Sequence, residues 1–394
     1  MRDARILISG AGIAGPALAH WLLRRGFTPM LVERAPSLRT GGYMIDFWGV
    51  GYEVAERMGL LPRLNELGYR IGEVAFVDRA GRRVSGFNAD RLRRVLMGRF
   101  ISLERGDLAK AIFDTVSDRI ETVFDDCVQS VVAQGDELAV TFEHQAPRYF
   151  DLAIGADGLH SAVRRIAFGP ERSFARHLGY WAASFIADDY PHRDEHAYVS
   201  RGRPGRQASR YALRGGRSAF LFVFVADGDT PPDDMAARKA LIADRFQDDG
   251  WELPEILARL EEAKELYFDT VSQIRMPQWS TGRVGLIGDA AFCPSLLAGE
   301  GAGLALAAAY VLAGELARAR DFRQAFNAYE ARLRDFIEPK QDSARKLARA
   351  FAPQTELGLV FRDMVLRAMA LPPVARWTMR SLVEDKFTLP DYGT

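Results

Sequence analysis

Gly10, Gly12 and Gly15 stand within Gly10-Ala11-Gly12-Ile13-Ala14-Gly15, a spacing that suits the close approach of a backbone to a pyrophosphate. Gly10 allows a tight turn. Gly12, lacking a side chain, lets the main chain meet the phosphates. Gly15 lets the next helix pack closely on a sheet. Glu33 lies within the separation of about 20 residues that this fingerprint requires, and it can accept hydrogen bonds from an adenosine ribose. Two further acids follow apolar runs. Asp157 lies in Asp151-Leu152-Ala153-Ile154-Gly155-Ala156-Asp157-Gly158, with His160, Ser161 and Arg164 just beyond. Asp289 lies in Gly285-Leu286-Ile287-Gly288-Asp289-Ala290-Ala291. Both stand at strand-to-loop junctions, where open α/β sheets hold ligands.

The elements that must position these residues are legible around them. Arg5 to Ser9 is a short apolar strand, Pro16 to Arg25 has helical composition and stops at Gly26, and Thr28 to Val32 is a second strand. The unit is strand–turn–helix–strand over about 30 residues, and the helix N-terminus adds free N–H groups for phosphates. A glycine-rich turn in some other α/β protein is the alternative. Residues 71–100 and 173–275 differ in texture. Val74 to Val77 and Arg82 to Phe87 read as a hairpin around Asp78-Arg79-Ala80-Gly81, and residues 179–187, 196–201, 209–213 and 219–225 as further strands. Asp233 to Asp248 reads as a helix. The expected fold class is α/β: a Rossmann-like domain built from residues 1–70, 101–172 and 276–340, an inserted, mostly antiparallel β-sheet domain from 71–100 and 173–275, and a C-terminal helical segment, 341–394, bridging the two.

Composition narrows the function. The 394 residues carry 52 Lys and Arg against 52 Asp and Glu, with 48% hydrophobic and 26% charged residues. That excludes a disordered chain, a fibrous repeat and a basic nucleic-acid binder. Cys127 and Cys293 are too few for a disulfide framework or a thiolate metal site. His192 and His196 are at helical spacing, but a proline precedes them and acids intervene, so no metal is expected. Arg2 to Leu23 has the charge and apolar content of a secretory signal, but its three glycines, His20, Trp21 and lack of a cleavage site argue against one. Leu296 to Leu316 is the most apolar stretch and contains Glu300 and Glu315, so no membrane span is expected. A soluble, reducing, cytoplasmic setting follows as the default.

The three motifs, in this order, resemble the single-component, FAD-dependent aromatic hydroxylases, the group A flavoprotein monooxygenases. The resemblance covers most of the chain. Arg105, in Ser102-Leu103-Glu104-Arg105-Gly106-Asp107-Leu108, matches that family's arginine at a helix start. Gly41-Gly42-Tyr43-Met44-Ile45-Asp46 and the long helical C-terminus are most similar to the tetracycline-inactivating members. The resemblance implies FAD held by Gly10, Gly12, Ala14, Gly15, Glu33, Arg34, Arg105, Val128, Asp157, Gly288, Asp289, Pro294, Gly299, Gly301 and Ala302, with NADPH or NADH as a transient reductant. It implies hydroxylation of an aromatic or enolic small molecule, of polyketide or tetracycline type, by molecular oxygen through a C4a-hydroperoxyflavin. It also implies a monomer or homodimer. The third motif departs from the family: Phe292 stands where a histidine is common, and Gly299-Glu300-Gly301-Ala302-Gly303 where Gly-x-Gly-x-Asn is common, which implies a reshaped flavin loop.

Substrate contacts are expected at Asp46, Tyr211, Phe222 and Phe224. Phe220, Phe222 and Phe224 alternate, so they share one face, either an aromatic pocket wall or plain sheet core. Trp181 and Phe185 could join them. Tyr211 would bury a hydroxyl that needs a partner. Asp46 is either a site residue or an exposed loop carboxylate, and Arg210 either an oxyanion ligand or a surface arginine. Leu357 to Ala370 is amphipathic, with Leu359, Val360, Met364 and Val365 against Arg362, Asp363 and Arg367, and is expected to pack in the core while walling the pocket. An FAD oxidase or dehydrogenase, and a flavoprotein that only sequesters its ligand, remain as alternatives. A flavin-dependent halogenase lacks its Trp-rich segment here. The residues name no catalytic side chain.

Overall fold

The computed structural model describes residues 3–39, 43–228, 230–368 and 387–393. Gly41, Gly42 and residues 369–386 of the expected C-terminal helical segment lie outside the described residues. A six-stranded sheet runs, in spatial order, β17 (Ser280–Thr281), β18 (Val284–Leu286), β11 (Leu152–Gly155), β1 (Arg5–Ser9), β2 (Thr28–Glu33) and β7 (Thr122–Phe124), parallel except for β17. Ile6, Leu7 and Ile8 of β1 are all buried, as a parallel strand covered on both faces requires. Helix α1 (Ala14–Leu23) follows β1 and begins two residues before the expected Pro16, which the first turn accepts because its missing N–H needs no partner there.

The second large sheet has seven strands in the order β16 (Tyr267–Ile274), β12 (Ala175–Ala187), β15 (Ser218–Val225), β14 (Arg206–Ala212), β13 (Ala197–Arg203), β4 (Glu73–Val77) and β5 (Arg83–Asn88). All pairs are antiparallel except β13 with β4. Two smaller sheets had no clear signal: β10 (Arg148–Phe150), β9 (Glu137–Phe142) and β8 (Val128–Gln134) form one, and β3 (Met44–Trp48) pairs with β6 (Phe100–Glu104) in the other. On one face of the seven-stranded sheet, α7 (Met235–Phe246) and α8 (Leu253–Glu262) close an apolar core. Around the six-stranded sheet lie α2 (Gly49–Arg57), α3 (Leu61–Leu67), α5 (Arg105–Phe113), α6 (Ala162–Phe168), the short α9 (Asp289–Phe292) and α10 (Gly301–Arg318), while α4 (Ala89–Val95) lies against β4 of the seven-stranded sheet. Every residue of α10 from Leu304 to Leu316 is buried, so it is an interior helix, apolar except for Glu315, which accepts from Arg332 and from the Tyr392 hydroxyl.

The two large sheets are tied by α11 (Phe322–Phe351), capped by Asp321. Near its start the Tyr329 hydroxyl donates to the Leu286 carbonyl (3.1 Å). Near its end Ala348 packs with Tyr180 and Val271 of the seven-stranded sheet. Pro339 lies inside this helix, and both Pro339 and Asp335 are exposed, so water can take the carbonyl that the proline leaves unbonded. The following helix, α12 (Glu356–Ala368), corrects the amphipathic reading. Only Leu359 is buried, while Val360 and Met364 face solvent. Its polar residues dock instead: Asp363 accepts from Ser85 (2.8 Å), Arg362 covers the Phe76 ring and donates to Gln207, and Arg367 donates to the Val84 carbonyl. Among the described residues, no helix is long and apolar enough to cross a membrane.

Candidate functional site

The three glycine motifs leave three neighbouring strands, β1, β11 and β18, at the same end of the sheet. Their packing leaves no room for side chains. A Cβ on Gly10, which has φ +107°, would stand 2.5 Å from the Ala156 carbonyl oxygen, and one on Gly288 3.1 Å from the Ala14 side chain. Gly12 differs, since a Cβ there would meet only the Arg105 guanidinium, at 3.6 Å. Gly12 and the Arg105 guanidinium therefore lie side by side at the N-terminus of α1, where both can serve one anionic group. Glu33 is held at this turn by the N–H groups of Ala11 (2.8 Å) and Ala35 (2.9 Å). Arg34 is exposed beside it, and Val128 is buried at the start of β8.

Asp157 accepts from the Ser161 hydroxyl and from Val163 N–H (3.1 Å), so it fastens the start of α6. Burial raises its pKa, and those hydrogen bonds oppose the rise. Arg164 is fully buried and ties this loop to the third motif: it donates to the Ala290 carbonyl (3.0 Å), the Leu159 carbonyl (2.6 Å) and Glu171 (2.8 Å). Asp289 sits below the N-terminus of α10, its Oδ1 3.4 Å from where a Cβ on Gly301 would stand. Burial pushes the Asp289 carboxyl upward, and Arg105 pulls it back. Beside them the rings of Tyr43 and Tyr267 lie 5.7 Å apart, and burial pushes the Tyr43 phenol up to about 12. A pyrophosphate at Gly12 and Arg105, with a ribityl chain at Asp289, fits these donors and acceptors.

Pro294 is buried, and its loop is held by residues that no motif pointed to. Gln273 donates to the Pro294 carbonyl (2.7 Å), and Gln341 of α11 donates to the carbonyls of Ile274 (2.8 Å) and Phe292 (3.0 Å). Ser295 has φ +134°, a conformation costly for any residue but glycine, so the loop is over-determined by its surroundings. Gly299 (φ +69°) is exposed, and Gly301 and Ala302 open α10. His160, just beyond the second motif, has partners that the motif does not show. Its Nδ1 meets Glu171 (2.9 Å) and its Nε2 meets Asp269 of β16 (3.1 Å), and these two carboxylates raise its pKa to about 10. An isolated histidine in the sequence gives no sign of partners so far along the chain.

The expected substrate residues separate. Phe222 and Phe224 lie in the core under α7, each edge-on to Phe246, with Trp181 and Phe185 beside them. That face points away from the glycine motifs, which corrects the pocket-wall reading of these rings. Arg210 lies on the same outer side, buried, with Glu252 (2.8 Å) and Asp194 (2.9 Å) as partners, so it is no surface arginine. Tyr211 points to the inner face. Its hydroxyl oxygen accepts from Met44 N–H (2.6 Å), and its ring stacks on Tyr198 at 5.3 Å. Asp46 lies across from them on β3. The pleat sends Ile45 and Phe47 into the core of the six-stranded sheet and turns Met44, Asp46 and Trp48 to the other side. Met44 there joins the cluster of Tyr211 and Tyr198. Asp46 is exposed to solvent, and its neighbours are Ser102 of β6, Tyr198 of β13 and Tyr211 of β14, which places it between β3 and the inner face of the seven-stranded sheet.

Comparison with known proteins agrees with this geometry. The model of the FAD binding domain family matches residues 3–338. A flavin-dependent monooxygenase of Legionella longbeachae is 33% identical over 372 residues, spanning 90% of this chain and 92% of its own. An uncharacterized protein of Mycobacterium tuberculosis, Rv1260, is 39% identical over 340 residues, spanning 85% of this chain and 91% of its own. The crystal structure of tetracycline destructase Tet(55) superimposes with a TM-score of 0.84 at 30% identity, covering 99% of each chain.

Proposed function

We propose a substrate class on the premise that this chain belongs to the FAD binding domain family and is an FAD-dependent monooxygenase. The substrate is a hydroxyl-bearing aromatic or enolic molecule of polyketide or tetracycline type. It sits in the cleft between β3 and the inner face of the seven-stranded sheet. The observation that carries the reading is the wall of that cleft, in which Tyr43, Tyr198 and Tyr267 are part-buried and Asp46 is the carboxylate beside Tyr198 and Tyr211. Flat, apolar rings with a few fixed polar groups suit such a substrate. The likeness to tetracycline destructase Tet(55) supports the same class.

When bound, FAD supplies chemistry that no side chain has: it passes electrons from NADH or NADPH to oxygen and one oxygen atom to the substrate. The chain's own residues do the rest. Gly12, Arg105 and the N-terminus of α1 hold the diphosphate, Glu33 the adenosine ribose, and Asp289 the ribityl chain. The N-terminus of α10 offers N–H groups and a positive dipole to negative charge on the ring system. Tyr43 and Tyr267 narrow the cleft and exclude water. The enzyme acts in the cytoplasm, as a monomer or homodimer. The test is oxidation of NADH and NADPH under air, with and without tetracycline and a panel of phenols, followed by product mass. Faster oxidation with a product heavier by one oxygen supports the reading. Oxidation that yields only hydrogen peroxide with every compound contradicts it.

A further inference from the structure

The cleft holds one feature that binding alone does not explain: a carboxylate set among tyrosines with half of its hydrogen-bonding capacity unused. We propose that Asp46 is the catalytic base of this enzyme, taking the proton from a phenol or enol hydroxyl of the substrate, and that Ser102 is the residue that positions it.

The geometry favours this role over a structural one. Asp46 Oδ1 accepts from the Ser102 hydroxyl (2.5 Å), and among the described residues no other hydrogen bond reaches the carboxylate. A structural aspartate is usually saturated, as Asp126 is, buried with the N–H groups of Cys127, Glu143, His144 and Gln145 around it. Asp46 instead keeps Oδ2 for a donor arriving in the cleft, and a hydroxyl is the donor that leaves a carbon nucleophile when its proton goes. The groups facing it come from four elements. Ser102 is on β6, Tyr198 on β13 and Tyr211 on β14, while Arg93 on α4 attracts the carboxylate and is itself paired with Asp90 (2.6 Å). Burial raises the Asp46 pKa, whereas Ser102 and Arg93 lower it. In a water-filled cleft the rise is partial, and it grows as substrate displaces water. A base whose pKa moves toward neutrality can take and return a proton in one turnover.

The step balances with the reagents of the monooxygenase reaction. The substrate O–H bond breaks, its proton goes to Asp46 Oδ2, and the electron pair left on oxygen is delocalised to the adjacent ring carbon. That carbon forms the new C–O bond with the oxygen atom being transferred. For a phenol the ring C–H proton is then lost to water as aromaticity returns, and Asp46 gives its proton back to the original oxygen; for an enol that oxygen stays as a ketone, and Asp46 gives its proton to water. Overall, substrate, O2, NAD(P)H and a proton give hydroxylated substrate, water and NAD(P)+.

This proposal rests on the substrate reading above, so its test must separate the two. Wild type, Asp46→Asn and Ser102→Ala are compared for oxygen transfer to tetracycline and to a dihydroxyanthraquinone from pH 5 to 9, after flavin content is measured from absorbance. Asp46→Asn keeps Ser102 as a neighbour and loses the base. It should retain flavin, keep KM within about threefold and lose on the order of 10²-fold in kcat. The fall in wild-type kcat/KM at low pH should disappear from its profile. Ser102→Ala removes a hydrogen bond that favours the ionised carboxylate, so the same fall should move to higher pH. If Asp46→Asn stays within about threefold of wild type at every pH, or if Ser102→Ala leaves the profile in place, Asp46 is not the base. If Asp46→Asn loses its flavin, the displaced profile of Ser102→Ala decides the question alone. Wild type that oxygenates neither probe overturns the substrate reading and the base with it.

Discussion

The two faces of the seven-stranded sheet are made by the same strands and do opposite work. The outer face carries Trp181, Phe185, Phe220, Phe222 and Phe224 against Phe246, Ile256 and Leu260, and excludes solvent. The inner face carries Tyr198, Ser200, Gln207, Ser209 and Tyr211, with the hydroxyls of Ser200 and Ser209 2.9 Å apart, and turns toward the cleft. Period-two alternation assigns residues to a common face but does not say which face meets the cofactor domain. Here the more aromatic face is the core and the hydroxyl-rich one borders the site. A row of phenylalanines is thus a weaker sign of a ligand than tyrosines whose hydroxyls need partners.

Substitutions on the two faces should break differently. Phe222→Ala on the outer face removes a fully buried ring and should cost about 3–5 kcal/mol in denaturant unfolding. The folded fraction should keep its flavin and its kcat. A large loss of kcat with stability intact would reverse the assignment of the faces. Tyr211→Phe on the inner face is smaller in stability, about 1–3 kcal/mol, because the Met44 N–H loses its acceptor. It should nonetheless change KM, since that bond fixes β3 and hence Asp46. An unchanged KM would detach β3 from the substrate cleft. The smallest effect is expected at His160, which is half exposed and links the second motif to β16. Its pKa is raised from 6.5 to about 10, so its contribution to stability is complete below pH 6.5 and is lost as pH rises toward 10. Thermal unfolding of His160→Gln should therefore match wild type more closely at pH 10 than at pH 6.5. Parallel melting curves across that range would show that the clamp contributes nothing.

The nucleotide half of the fold was legible because its signals are local. Three glycines, two apolar strands and the helix between them lie within 33 consecutive residues, and each demands a particular backbone. The hairpin at Val74 to Phe87 was legible for the same reason, since alternation and a turn suffice. The remainder depends on contacts distant along the chain. Nothing near Gln341 says that it will hold the carbonyl of Phe292, and nothing near His160 foretells Asp269. Pro339 invites a helix break that water on the exposed side makes unnecessary. Asp46 could be read as a polar residue in an apolar stretch, but its role needs Tyr198, Tyr211 and Ser102, which three other strands supply.

The measurement that tests the central claim most directly is oxygen transfer under isotopically labelled dioxygen, with NADPH or NADH as reductant and tetracycline in the cleft. The account predicts one labelled atom in the product and the other in water, in step with the reductant consumed. Reductant consumed with no label in the product, and all of it recovered as hydrogen peroxide, would contradict it.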